Sequence, residues 1–127
     1  MNDRLILMGI RVALVAMVVA TTYFAVSSGG PIVNHQINDK WAHTLAFCVL
    51  ALLADWSAPR SGYDLYKIMP LMCYGLLIEF MQFYLPYRTA SMMDLVADAT
   101  GLLLYGIIIL LLRRTPVISW RRTFPRE

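Results

Sequence analysis

From Leu5 to Val26 the chain carries a single charged residue, Arg11. An apolar run of about 20 residues is long enough to cross the hydrocarbon core of a bilayer. Further runs follow from Thr44 to Trp56, from Lys67 to Leu85 and from Ser91 to Leu112. A chain of 127 residues cannot bury that much apolar surface in water, because a small domain has too much surface for its volume. Composition agrees: 59% of residues are hydrophobic, 15% are charged, and the mean hydropathy is +0.60. The expected fold is all-α, an integral membrane bundle of four transmembrane helices forming one domain over residues 1–127.

The boundaries of these spans are marked by local signals. Asn2, Asp3 and Arg4 precede the first, and Ser27-Ser28-Gly29-Gly30-Pro31 end it. Small residues around Ala25-Val26-Ser27 raise the alternative of a cleaved signal peptide, but the apolar run exceeds the usual signal core of roughly 7–15 residues. An uncleaved span is expected, with Arg11 snorkelling towards the headgroups. Residues 27–38 read as a polar loop, Asn38 as the N-cap of the second helix and Asp39 as a first-turn acid. Trp41 and Trp56 bracket that helix as interfacial anchors. A second loop is expected from Ala54 to Lys67, holding Asp55, Pro59, Arg60, Gly62 and Asp64. Pro70 is harmless in the first turn of the third helix. Ser91 and Asp94 have the spacing of a capping box at the start of the fourth.

Polar residues interrupt these spans in a pattern. Glu79 and Gln82 share one face of the third helix, Asp94 and Asp98 one face of the fourth, and Asp39 and His43 one face of the second. Gly75-Glu79-Gln82-Pro86 and Asp94-Ala97-Asp98-Gly101-Tyr105 form small and polar stripes that should face other helices. Asp94 can be read as a helix cap alone, and His43 as an interfacial histidine partnered by Asp39. Asp98 and Glu79 lie deeper. An ionisable group at such depth is a functional-site hypothesis by default. Arg88, His43 and Lys40 are the cations at hand to pair with Glu79. Cys48 and Cys73 lie in apolar spans, where free cysteine acts as a small hydrophobe. Tyrosines near span ends read as an aromatic belt.

Orientation follows from the basic residues. Arg4, Arg60, Lys67, Arg113, Arg114, Arg121, Arg122 and Arg126 fall on one side of a four-span topology, and Lys40 and Arg88 on the other. The positive-inside rule therefore puts both termini in the cytoplasm. The basic tail, residues 113–127, with Trp120 and Phe124, is expected on anionic lipid. The concentration of cations there excludes nucleic acid as a partner. In this topology Asp39, Lys40, His43, Glu79, Gln82, Arg88, Asp94 and Asp98 all fall at the outer end of the bundle, an outward-facing polar pocket. The cytoplasmic end is expected to hold only loop charges and the arginine tail.

Three blocks, D-K-x-x-H-x-x-x-F from Asp39 to Phe47, E-x-x-Q from Glu79 to Gln82, and P-x-R-x-x-S-x-x-D-L-x-A-D-x-x-G from Pro86 to Gly101, together resemble the VanZ-like family. The resemblance covers about residues 35–106 and departs from the family pattern at Asp98, where that pattern has Asn. It implies a small, multi-pass protein of the bacterial cytoplasmic (inner) membrane, related to a protein associated with low-level teicoplanin resistance. Signature positions fall on Asp39, Lys40, His43, Glu79, Gln82, Arg88, Asp94 and Gly101. The residues leave three function classes open. The first is a module that binds a polar envelope ligand, with membrane lipids and a lipid-linked precursor as its partners. The second is an enzyme using His43 and a carboxylate as acid and base, with or without a divalent metal. The third is a scaffold held by buried ion pairs. No metal-binding spacing, activated nucleophile or phosphate loop is present in the sequence, so no metal or cofactor is expected.

Overall fold

The computed structural model describes residues 2–28, 35–59 and 61–121. Gly29, Gly30, Pro31, Arg60, Arg122, Phe124 and Arg126 lie outside the described residues, as do the side chains of Asn38, Trp120 and Arg121. The regular elements are all helices: α1 (Asp3–Val26), α2 (His35–Ser57), α3 (Leu65–Phe83), α4 (Met92–Leu112) and the short α5 (Pro116–Arg121). Two of them, α1 and α4, are long and apolar enough to cross a membrane.

The caps explain where helices start. The Asn2 side chain accepts from Arg4 N at 3.2 Å, and Ser91 Oγ accepts from Met93 N at 3.2 Å. Two expected boundaries of α2 move outward. The helix already exists at His35, so Asn38 is not its cap and Asp39 is past its first turn. No glycine or proline follows Pro31 to delay it. At the other end α2 continues to Ser57, which puts Asp55 inside the helix rather than in a loop. The helix ends at Ser57, leaving Ala58 out before Pro59, a residue that disfavours helix in its predecessor.

At the centre is α2, packed most extensively against α4 and next against α1. Phe47, Leu50 and Ala51 of α2 are fully buried with Leu71, Leu102 and Tyr105. The small-residue stripe of α4 makes this approach possible. A Cβ at Gly101 would collide with the Thr44 carbonyl oxygen and lie 3.0 Å from Cys48 N. Thr44 Oγ1 donates to the Ala97 carbonyl at 3.2 Å, so its hydroxyl is satisfied inside the contact.

Hydrogen bonds fasten α1 to this core. Tyr74 Oη donates to the Val18 carbonyl at 3.0 Å and meets Thr22 Oγ1 at 2.8 Å. Tyr87 Oη donates to the Val26 carbonyl at 2.7 Å. Arg11 Nε donates to the Ser57 carbonyl at 3.3 Å, capping the end of α2 as well as reaching the surface. These tyrosines tie helices together, a role beyond the expected aromatic belt. The outer face of α1 presents Val12, Val15 and Val19 at 62–63% exposure, the reverse of a water-soluble bundle.

Candidate functional site

At the start of α2, the end of α3 and the start of α4, six of the eight predicted residues converge. His43 Nδ1 is 2.8 Å from Asp98 Oδ1, joining α2 to α4; the Asp98 side chain is completely buried and that of His43 is 11% exposed. One donor atom from each of Asp39, His43 and Asp94 lies within 4.8 Å of the others, a grouping that can hold a metal ion. Glu79 is within electrostatic reach of Asp94, His43 and Asp98, and Lys40 of Asp94. The helical spacing of Asp39 and His43 puts them on one face, and α4 brings Asp94 and Asp98 against that face. Gly75 makes room for α3: a Cβ there would sit 2.6 Å from Asp98 Oδ2.

Glu79 takes over half of a capping box. In such a box the N3 side chain accepts the N–H of the capping residue. Here Ser91 N donates to Glu79 Oε2 at 2.9 Å, from the neighbouring helix. That leaves the carboxylate of Asp94, 3% exposed, to face His43 and Asp39. A role as helix cap alone does not account for this placement of Asp94. Two buried acceptor atoms of this centre, Glu79 Oε1 and Asp98 Oδ2, have no hydrogen-bond partner among the described residues.

The other two predicted residues turn elsewhere. Arg88 donates through Nη2 to the carbonyls of Phe24 and Ser27, and Gln82 Nε2 donates to the Ala25 carbonyl at 3.0 Å. Both satisfy the orphan carbonyls at the C-terminal end of α1, where a guanidinium also complements the helix dipole. Arg88 is thus not the partner of Glu79. The acidic centre lacks the guanidinium that sequence placed beside it.

A second polar cluster lies at the opposite end of the bundle, where only loop charges were expected. Asp55 is completely buried; Lys67 Nζ donates to its Oδ1 at 2.7 Å and Tyr105 Oη to its Oδ2 at 2.7 Å. Lys67 also donates to the carbonyls of Ala58 and Ser61 at 3.0 and 2.8 Å, closing the α2–α3 turn. Tyr63 Oη donates to the Leu102 carbonyl at 2.9 Å while its ring packs edge-on against Tyr105, with centroids 4.8 Å apart. Burial, with Asp55 close by, pushes the Tyr63 hydroxyl up to about 12. An apolar window ending in an acid, Asp55 after Ala51-Leu52-Leu53-Ala54, was the one signal for this cluster in the sequence.

Between α3 and α4 lies a shallow, largely open apolar groove of about 560 Å³, lined by the exposed side chains of Leu76, Leu77, Phe80, Phe83 and Met92, with Glu79 in its wall. No family model and no solved structure matches the chain. A fission yeast protein (Schizosaccharomyces pombe), described as uncharacterized, is similar to it at 30% identity over 90 residues, 68% of this chain. The chain spans about half, 54%, of the length of that relative.

Proposed function

We propose that this chain is a VanZ-like, four-span membrane protein that binds an amphiphile, with its polar headgroup at the Asp39–His43–Asp94–Asp98 centre and its apolar chain in the α3–α4 groove. The observation that carries this reading is the position of Glu79. Its carboxylate belongs to the polar centre, has one buried oxygen without a partner, and forms part of the groove wall. A site joining unmatched polar atoms to an apolar groove suits a lipid headgroup or a lipid-linked precursor better than a free solute. The hydrogen bonds between α1 and the rest of the bundle support an uncleaved first span. The positive-inside count supports both termini in the cytoplasm and the polar centre at the outer face. A bacterial inner membrane is implied by the family resemblance; the similarity to a fission yeast protein makes the binding argument equally applicable to a eukaryotic membrane.

Native mass spectrometry of the full chain released from detergent tests the binding. Wild type should retain a phosphate- or sugar-bearing lipid. Glu79→Gln and the groove-filling Leu77→Trp should lose it while still melting cooperatively as folded proteins. Equal retention by all three proteins would sink the proposal. Reporter fusions test the topology: those after Ser28 and Tyr87 should report the outer side, and those after Gly62 and Thr115 the cytoplasm. A cytoplasmic signal after Tyr87 would invert the site.

The His43–Asp98 contact favours one second reading, in which Asp98 orients His43 as a general base. In that case His43→Gln should leave lipid retention intact while abolishing its chemical conversion. Bound lipid that is never converted by wild type would remove this reading.

A further inference from the structure

We infer that Asp39, His43 and Asp94 form a binding site for a divalent transition-metal cation, with Asp98 positioning the histidine. The site is built from two helices whose packing is set independently of it. Asp39 and His43 are one turn apart on α2, and Asp94 enters from the first turn of α4, with a donor atom of each within 4.8 Å of the others. Such spacing lets a single ion of radius typical for first-row metals touch all three after small side-chain adjustments. Two carboxylates and an imidazole suit Mn²⁺ or Zn²⁺, since imidazole favours the later metals and carboxylate the harder ones.

Two further observations point to a cation. The first is the bond between His43 Nδ1 and Asp98 Oδ1 at 2.8 Å. A ligating histidine commonly donates its other ring N–H to a carboxylate, which fixes the tautomer and leaves the second nitrogen free to coordinate. Asp98 is completely buried and its Oδ1 is placed for that role. The second is charge. Asp39, Glu79, Asp94 and Asp98 gather here, and Glu79, 8% exposed, keeps Oε1 buried and unmatched. Arg88, the guanidinium expected beside Glu79, is held by the carbonyls of Phe24 and Ser27. Lys40, within electrostatic reach of Asp94, brings one positive charge to four carboxylates; a divalent cation at their centre relieves the remaining repulsion and the desolvation together. Three protein donors leave coordination positions open. A phosphate oxygen of the amphiphile proposed above can fill one of them, but the cation site rests on the geometry alone.

Electron paramagnetic resonance tests the site with Mn²⁺ as the probe, on the full chain purified in detergent and stripped with chelator. The free-ion signal should fall as one Mn²⁺ binds per chain, and Zn²⁺ should displace it. Asp94→Asn and Asp39→Asn should each weaken binding at least tenfold. Asp98→Asn should weaken it by about 10–100-fold, the range for loss of a partner behind a ligating histidine. Asp64→Asn, on the exposed far loop, should bind as wild type. Melting temperatures recorded with and without Mn²⁺ identify any variant that fails to fold; Asp39, half-buried, serves as the fallback for Asp94. A folded wild type that binds neither ion overturns the inference, as does unchanged binding in Asp39→Asn and Asp94→Asn. Lipid retention that survives chelator alongside absent metal binding would defeat the cation site and leave the amphiphile reading standing. Metal binding without any lipid retention would do the reverse.

Discussion

Each end of the bundle holds a completely buried aspartate that links α2 to α4, and the two are treated differently. Asp55 accepts from Lys67 on one oxygen and from Tyr105 on the other. Asp98 meets His43 on one oxygen, while the other is buried with no partner. His43 and Asp55 are 12 residues apart on α2, or about 18 Å at 1.5 Å per residue. Along the α2–α4 contact, therefore, an aspartate carboxylate serves a matched network at one end and an unmatched one at the other. A matched network holds helices in register. Unmatched buried oxygens cost stability, so they add nothing to the hold between the helices. The contrast separates the part of this molecule that holds the bundle from the part that is open to a ligand.

The strongest way to break this contrast is to remove the carboxylates one at a time. Asp55→Ala leaves Lys67, whose side chain is 9% exposed, without its counter-charge, and should cost about 3–5 kcal/mol. Combining it with Lys67→Met should recover much of that loss, because replacing a buried pair by apolar groups is often neutral. Denaturation of the purified chain in detergent reads both. Asp98→Asn should cost far less stability and instead weaken metal binding by about 10–100-fold. A similar stability loss at both sites would make both clusters structural.

The helix contact that both aspartates bridge depends on glycine. Gly101→Ala drives a methyl group into the Thr44 carbonyl, and overpacking of this kind costs about 1–3 kcal/mol. Gly75→Ala meets the Asp98 carboxylate and the Phe47 ring rather than backbone. It should therefore disturb the polar centre more than the fold. Equal destabilisation by the two, with binding intact in Gly75→Ala, would show that α3 does not shape the centre.

Arg88 and Glu79 offer a smaller effect with a clear sign. Because Arg88 is spent on α1 and Glu79 on Ser91, the losses caused by Arg88→Gln and Glu79→Gln should add to within about 0.5 kcal/mol in the double variant. A double variant that recovers stability would show that the two form a pair after all, and would move Glu79 to the scaffold.

The smallest effect is expected at the matched end. The Tyr63 hydroxyl is raised from 10.0 to about 12, so the folded chain keeps a proton that the unfolded chain has released. Stability from this group is complete below pH 10 and is lost as pH rises from 10 towards 12. Tyr63→Phe should flatten the alkaline fall in melting temperature over that interval. An unchanged alkaline profile would mean that burial beside Asp55 does not hold the Tyr63 proton.

How much of this could be read from the residues differs between the two ends. The polar centre was legible because its members come in helical pairs, Asp39 with His43 and Asp94 with Asp98, and because Ser91 marks where α4 begins. Capping and the 3.6-residue period act over a few neighbours, so a linear chain records them. The Asp55 cluster was not legible. Its partners lie 12 and 50 residues away, and Asp55 stands near a proline and a glycine that suggest a loop.

The choice of partner was settled by packing in every case where the residues left more than one candidate. Arg88 could neutralise Glu79 or cap α1, and the α1 carbonyls came closer. Ser91 N could bond Asp94 or Glu79, and α3 delivered Glu79. Composition and periodicity make this chain an all-helical bundle with an apolar exterior, because burial patterns are written into sequence at short range. Which buried carboxylate is satisfied and which is left open is decided by a few ångströms of helix placement, to which Gly75 and Gly101 contribute only once α2, α3 and α4 meet.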